Sequence, residues 1–274
     1  MTWLSVRVRA PAEDREAVVA LLFEMGSMGV HEDGETLATH FPPPIEQEVL
    51  AQRLHKVSPH SSLEMADTPD IDWSERWRDR IISHEVGSLI VSPPWLARPE
   101  DAERTIVIDP GMAFGTGDHE TTRGAIRLMA GVVQASDTVA DLGAGSAVLA
   151  IAAAKLGALR VVAIEIDPDA IENAEQNVIR NGVADRVTVL EGDAAVMLPL
   201  LGQFRVILVN IISSVITQLL PAIRDGLSPG GAVVLSGVLI TESSALKGVL
   251  SSAGWSVDAE DVEGEWWSAV ARRA

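Results

Sequence analysis

The residues best suited to chemistry gather around one stretch, Val139-Ala140-Asp141-Leu142-Gly143-Ala144-Gly145-Ser146, which runs directly into the helical pattern AVLAIAAAKLG. An apolar strand that ends in glycines lets backbone approach a ligand closely, and the helix that follows offers free N–H groups. The next apolar stretch, 161–164, ends in Glu165, 22 residues after Gly143. A carboxylate at that point can accept both hydroxyl protons of a ribose. The competing role for an acid here, capping the helix that starts at Pro168, suits Asp167 better. Two nucleotide cradles are excluded by residue type. The dinucleotide fingerprint needs glycine where Val148 stands, and the GxxxxGK[ST] phosphate loop is absent. Farther along, Asn210 closes the apolar stretch FRVILVN, where a buried amide needs a partner.

Composition narrows the chemistry further. The chain has no cysteine, which removes disulfides, thiolate nucleophiles and cysteine-rich zinc sites. Asp118, His119 and Glu120 adjoin in sequence, but such neighbours do not converge on a metal. His119 is expected to hydrogen-bond its own loop, with a general-base role as the alternative. Lys and Arg total 21 against 39 Asp and Glu, a formal net charge of −18. That balance argues against a direct nucleic-acid partner, because cationic neutralisation of phosphates supplies most of such affinity. No apolar run approaches the ~20 residues that span a bilayer, and MTWLSVRVRAPAEDRE lacks the apolar centre of a signal peptide. A cytoplasmic protein is expected. Oligomeric state is left open.

These residues have to be positioned by a larger frame, and the 274 residues suit two domains and a connector. Residues 1–67 follow the order βαββαβ. Alternation at Leu4, Val6 and Val8 marks a strand, AEDREAVVALLFEM a helix, 28–32 and 36–41 a pair of strands around the turn-prone Asp33-Gly34, PPPIEQEVLAQRLHKV a second helix, and 62–66 a last strand. This is the ferredoxin-like α+β plan. Residues 68–104 read as a linker, with a helix in DWSERWRDRI that sets Trp73 and Trp77 four apart on one side, followed by a short apolar strand in SLIVS. From 105 to the end, strands near 105–109, 138–142, 160–165, 186–191, 204–209 and 231–236 mostly alternate with helices near 118–133, 146–156, 168–181, 213–227 and 241–253. Such alternation predicts a mainly parallel, doubly wound α/β sheet. The closing segments 255–260 and 266–272, joined through Glu263-Gly264, predict a hairpin with an antiparallel last strand.

The glycine turn followed by a ribose-type acid resembles the Rossmann-like, seven-stranded methyltransferases that use S-adenosylmethionine. The likeness narrows at 109–122, Asp-Pro-Gly-Met-Ala-Phe-Gly-Thr-Gly-Asp-His-Glu-Thr-Thr, which resembles the segment before the glycine turn in the ribosomal protein L11 methyltransferase family. DWSERWRD, KLGA, NGVADR, Val209-Asn210-Ile211-Ile212 and EGEWWSAVARR extend it over nearly the whole chain. The resemblance implies a ferredoxin-like recognition domain over 1–67, a linker over 68–104 and a catalytic domain over 105–274. It implies cofactor contacts at Thr122, Gly143, Glu165 and Asn210, to which the glycine turn itself adds Gly145, and an adenine-edge acid at Asp193, for which a turn-forming role is the alternative. Asn210 would position the acceptor amine and Phe114 would wall its channel, whereas core packing is the plainer role for Trp77. The chain departs from the family pattern at Ala147, at Glu165 where aspartate is frequent, and at Asp118, Glu120, Ser213 and Ser214 near the expected acceptor entrance.

The activity so implied is methylation of lysine amines, and of the α-amine, on ribosomal protein L11, a basic partner. The Asn-Pro-Pro-aromatic motif of enzymes that methylate the amino groups of DNA and glutamine is absent at Asn210-Ile211-Ile212-Ser213. Lysine methylation of another protein, N-methylation of a small amine, and a non-catalytic S-adenosylmethionine-binding module are the alternatives. A nicotinamide-dependent dehydrogenase is disfavoured by Val148.

Overall fold

A computed structural model of the chain describes residues 3–27, 29–33, 36–41, 47–68, 82–109 and 117–274. It divides into two compact units, Met1–Arg80 and Ile81–Ala274. The first unit runs β1 (Trp3–Arg9), α1 (Arg15–Glu24), β2 (Val30–Asp33), β3 (Thr36–Phe41), α2 (Gln47–Val57) and β4 (Ser62–Thr68). Its sheet has the order β2-β3-β1-β4, antiparallel throughout, which is the predicted ferredoxin-like plan. Period-two alternation decides which face is covered. Leu4, Val6 and Val8 of β1 and Leu37 and Phe41 of β3 are buried with Val18, Leu21 and Leu22 of α1 and Leu50 and Leu54 of α2. The predicted turn at Asp33-Gly34 falls partly outside the described residues, and the predicted helix in DWSERWRDRI lies outside them.

The second unit opens with a three-stranded sheet of β5 (His84–Val86), β6 (Leu89–Ser92) and β7 (Thr105–Val107). Within the stretch read as a linker, β6 is the strand expected in SLIVS, and β5 is an additional one. The stretch 105–109 was expected to join the main parallel sheet and does not. β7 pairs in parallel with β6 instead, and the Asn181 side chain takes up both backbone groups of Val107. Its Oδ1 accepts the Val107 N–H at 2.8 Å and its Nδ2 donates to the Val107 carbonyl at 2.7 Å. With those groups satisfied, β7 is held as an outlying strand.

The main sheet has seven strands in the order β10-β9-β8-β11-β12-β14-β13. They are β8 (Thr138–Leu142), β9 (Arg160–Glu165), β10 (Val187–Glu191), β11 (Phe204–Asn210), β12 (Leu227–Leu239), β13 (Trp255–Glu263) and β14 (Trp266–Arg273). β8 to β12 pair in parallel, and the β13–β14 hairpin returns so that β14 lies antiparallel to β12. The helices are α3 (Glu120–Met129), α4 (Val148–Lys155), α5 (Pro168–Arg180), α6 (Ala194–Met197), α7 (Ser213–Gly226) and α8 (Ile240–Ser252). Alternate residues of each parallel strand feed opposite layers. Val139, Val161, Val206 and Val234 pack with α3, α4 and α5, while Ala140, Val162, Ile207 and Val233 pack with α7 and α8. α4 is buried along nearly its whole length. Its alanines combine high helix propensity with small volume, so the helix backbone lies close to the sheet.

Candidate active site

Because β8, β9 and β11 are parallel, their carboxyl ends share one edge, and strand order reverses between β8 and β11. Open α/β sheets bind ligands at such a point. The chain leaves β8 through three residues with positive φ, Gly143 at 69°, Gly145 at 51° and Ala147 at 64°. The left-handed region suits glycine and strains alanine. A Cβ on Gly143 would lie 2.9 Å from Ile211 Cγ2, so the glycine turn touches the residue that follows Asn210. The turn is also tied to α5. Asn177, fully buried, donates from Nδ2 to the Ser146 carbonyl at 3.2 Å, and its Oδ1 accepts the Asp109 N–H at 3.1 Å.

Glu165 ends β9 with its side chain buried. Its Oε2 accepts the Gly145 N–H at 2.7 Å, and its Oε1 accepts the amides of Ile166 at 2.8 Å and Asp167 at 2.9 Å. A carboxylate offers about four lone-pair directions. Three are engaged by backbone here, so the side chain supports the glycine turn and retains one further direction for a ligand. Asp167 caps α5 from Oδ1 to the Asp169 N–H at 3.0 Å, as the sequence suggested. Asp193 is exposed and accepts the Ala195 N–H at 2.8 Å. That is the turn-forming alternative for this residue.

Thr122, in the first turn of α3, is fully buried, and Asn210 ends β11. Among the described residues neither Thr122 Oγ1 nor Asn210 Oδ1 has a hydrogen-bond partner. His119 precedes α3 and caps it, with Nδ1 2.9 Å from Thr121 Oγ1 and 3.3 Å from the Thr121 amide that donates to it. Its ring meets Trp266 edge-on at 4.9 Å. The loop-backbone role expected for His119 is therefore filled. Asp118 pairs with His84, and Glu120 lies 3.8 Å from Arg123. Arg123 also lies 3.9 Å from Asp118, so both departures from the family pattern in this loop are acids beside the same guanidinium. Phe114 falls outside the described residues. Among those residues no three His, Asp or Glu side chains converge as metal ligands.

Sequence reasoning assigned no role to Asp141. Its side chain is buried at the end of β8, where Oδ2 accepts the Ala150 N–H at 2.9 Å. Burial pushes its carboxyl up to about 7, with the Glu165 charge adding to the effect and the Ala150 amide opposing it. It also passed over a cationic pair on α3. Arg123 bonds Glu263 at 2.6 Å, and Arg127 bonds Asp261 and Glu263, each at 2.6 Å. These contacts fasten α3, which carries Thr122, to the β13–β14 hairpin. Only the spacing of the two arginines, four apart on one helix face, hinted at a shared partner.

Comparison with known proteins bears on the same frame. The family model described as "Ribosomal protein L11 methyltransferase (PrmA)" matches residues 36–274. The ribosomal protein L11 methyltransferase of Thermus thermophilus is 36% identical, with 95% of this chain and 96% of that protein covered. Its counterpart from Pelotomaculum thermopropionicum is 33% identical over 99% of each. The crystal structure of the ribosomal protein L11 methylase from Lactobacillus delbrueckii subsp. bulgaricus aligns with a TM-score of 0.63 at 29% identity, over 70% of this chain and 99% of that one. With a doubly wound sheet, a glycine turn at its switch point and this breadth of similarity, the chain belongs to the ribosomal protein L11 methyltransferase family.

Proposed function

We propose that this methyltransferase moves methyl groups from S-adenosylmethionine to lysine ε-amines, and to the terminal α-amine, of ribosomal protein L11. The observation that carries the reading is the pair of buried, unpaired polar atoms, Thr122 Oγ1 and Asn210 Oδ1, at the edge that also holds the glycine turn and Glu165. Leaving such an atom without a partner costs about 1–3 kcal/mol, which a ligand with matching groups offsets. Asn210 Oδ1 only accepts, so it suits an N–H of an amine. Thr122 Oγ1 both donates and accepts, which suits the amine or carboxylate of a methionine portion. Glu165 has one lone-pair direction left for a ribose hydroxyl. The positive φ of Gly143 and Gly145 suits glycine, which lets backbone approach a ligand closely.

When bound there, S-adenosylmethionine supplies a methyl group already activated by its sulfonium, so the protein contributes mainly alignment and exclusion of water. An acceptor lysine, with an ordinary pKa of ~10.4, has to shed a proton before its nitrogen has a lone pair, and a desolvated entrance lowers that pKa. No dedicated nucleophile is needed. The small first unit serves to recognise the acceptor protein.

The test begins with calorimetric titration of S-adenosylmethionine into the wild-type protein and Glu165→Ala. We expect measurable binding to the wild type and at least ~tenfold weaker binding to the variant. The variant should also melt lower, because the amides of Gly145, Ile166 and Asp167 lose their acceptor. No binding to the wild type would overturn the reading, and unchanged affinity in the variant would remove Glu165 from the site.

A further inference from the structure

We infer that Ser236 is a positioning residue that sets the distance between the two halves of the site; this rests on the cofactor reading above. Ser236 ends the regular pairing of β12, directly opposite Asn210 in the parallel register with β11, and is fully buried. Its carbonyl accepts the Ile211 N–H at 3.2 Å, which holds the residue after Asn210. Its hydroxyl donates to the Thr121 carbonyl at 2.8 Å, which holds the residue before Thr122. One side chain and its own backbone thus reach both neighbours of the unpaired atoms.

The third contact of Ser236 has a defined polarity. Ser236 Oγ lies 2.7 Å from Ser268 Oγ on β14. A hydroxyl has one proton, and that of Ser236 goes to the Thr121 carbonyl, so Ser268 donates to Ser236. The result is a buried chain from β14 through β12 to the first turn of α3. Donation into an already donating hydroxyl strengthens each bond of such a chain. Two glycines make it sterically possible. A Cβ on Gly124 would come within 2.7 Å of Ser268 Oγ, and one on Gly237 would come within 2.6 Å of the Ile211 carbonyl oxygen. Side chains at those positions would separate α3 from β14 and the Asn210–Ile211 turn from β12. Neither Ser236 nor Ser268 has to touch a ligand to matter. Their effect passes through Thr122 and Asn210.

A double-mutant cycle separates positioning from plain structural support. S-adenosylmethionine affinity is measured for the wild type, Ser236→Ala, Thr122→Ala, Glu165→Ala, and the pairs Ser236→Ala with each of the other two. Ser236→Ala should weaken binding about tenfold on its own. In the Thr122→Ala background it should add less than about twofold, because the group it positions is already gone, whereas with Glu165→Ala the losses should multiply. Equal loss in the two backgrounds, or none in Ser236→Ala alone, would overturn the inference. If Ser236→Ala does not fold, Ser268→Ala, which leaves the bond to Thr121 in place, takes its part in the cycle with a smaller expected loss and the same criteria. Failure of the wild type to bind S-adenosylmethionine would instead strike the underlying reading.

Discussion

Asp141 and Glu165 end neighbouring strands, yet their surroundings separate them. Glu165 is met by three backbone amides, whereas Asp141 receives one bond from Ala150 and is shut away from water. Its carboxyl, ordinarily near 3.8, is raised to about 7. The folded protein therefore keeps a proton that the unfolded chain has lost between about pH 4 and pH 7, and stability from this group falls as pH rises through that window. We expect the melting temperature of the wild type to drop over this range relative to that of Asp141→Asn, which keeps an acceptor for the Ala150 amide without titrating. Parallel curves for the two proteins would refute the assignment. At this scale the sequence was only partly legible. The capping role of Asp167 followed from its place before Pro168, whereas the distance of Glu165 from the glycine turn pointed to a ribose and not to the three backbone amides that donate to it. Asp141 did not stand out, since burial rather than residue type makes its carboxyl unusual. Ser236 reads in LSG as an ordinary strand-end hydroxyl, and its partners are 115 and 32 residues away.

The elements divide in the same way. Strands β8, β9 and β11 were legible because each is an apolar run between turn residues, and the closing hairpin because Glu263-Gly264 separates two strand patterns. β7 was misassigned to the main sheet because an apolar run does not encode its partner. The outlying place of β7 is supported by Asn181, which bonds both backbone groups of Val107 from 74 residues away and reads in sequence as a helix-end polar residue. The clasp between α3 and the hairpin is another non-local feature. Burial alone would raise the Glu263 carboxyl, but hydrogen bonds from Arg123 and Arg127 outweigh it and hold the group below its ordinary range. Bonds to Asp261 and Glu263 likewise keep Arg127 charged. Arg123 is 13% exposed, whereas Arg104 near Asp101 is 45% exposed. Removing Arg123 takes two charge-assisted hydrogen bonds from Glu263, which keeps Arg127 as a partner, while exposed pairs contribute little. Chemical denaturation should show Arg123→Ala destabilised by about 1.5–3 kcal/mol, the usual worth of hydrogen bonds to charged groups, and Arg104→Ala by no more than about 0.5 kcal/mol. Equal losses would mean that the clasp does not hold the hairpin.

Across the whole molecule, a ferredoxin-like unit precedes a seven-stranded catalytic frame, and the chain as a whole has a net charge of −18. We expect that field to draw a basic acceptor protein towards the enzyme. Steering of this kind weakens as salt shortens the range of the charges, so kcat/KM for the acceptor should fall between ~50 and ~300 mM salt. A salt-independent value would leave the acidity as a solubility feature. The proposed methyl transfer can be followed at the acceptor atoms. Its most direct test is to incubate the purified protein with methyl-labelled S-adenosylmethionine and unmethylated ribosomal protein L11, then to locate the label by mass spectrometry. Label is expected on lysine ε-amines and the terminal α-amine of that protein. A protein that binds the cofactor yet leaves ribosomal protein L11 unlabelled, or labels it only at other atoms, would contradict the proposed transfer.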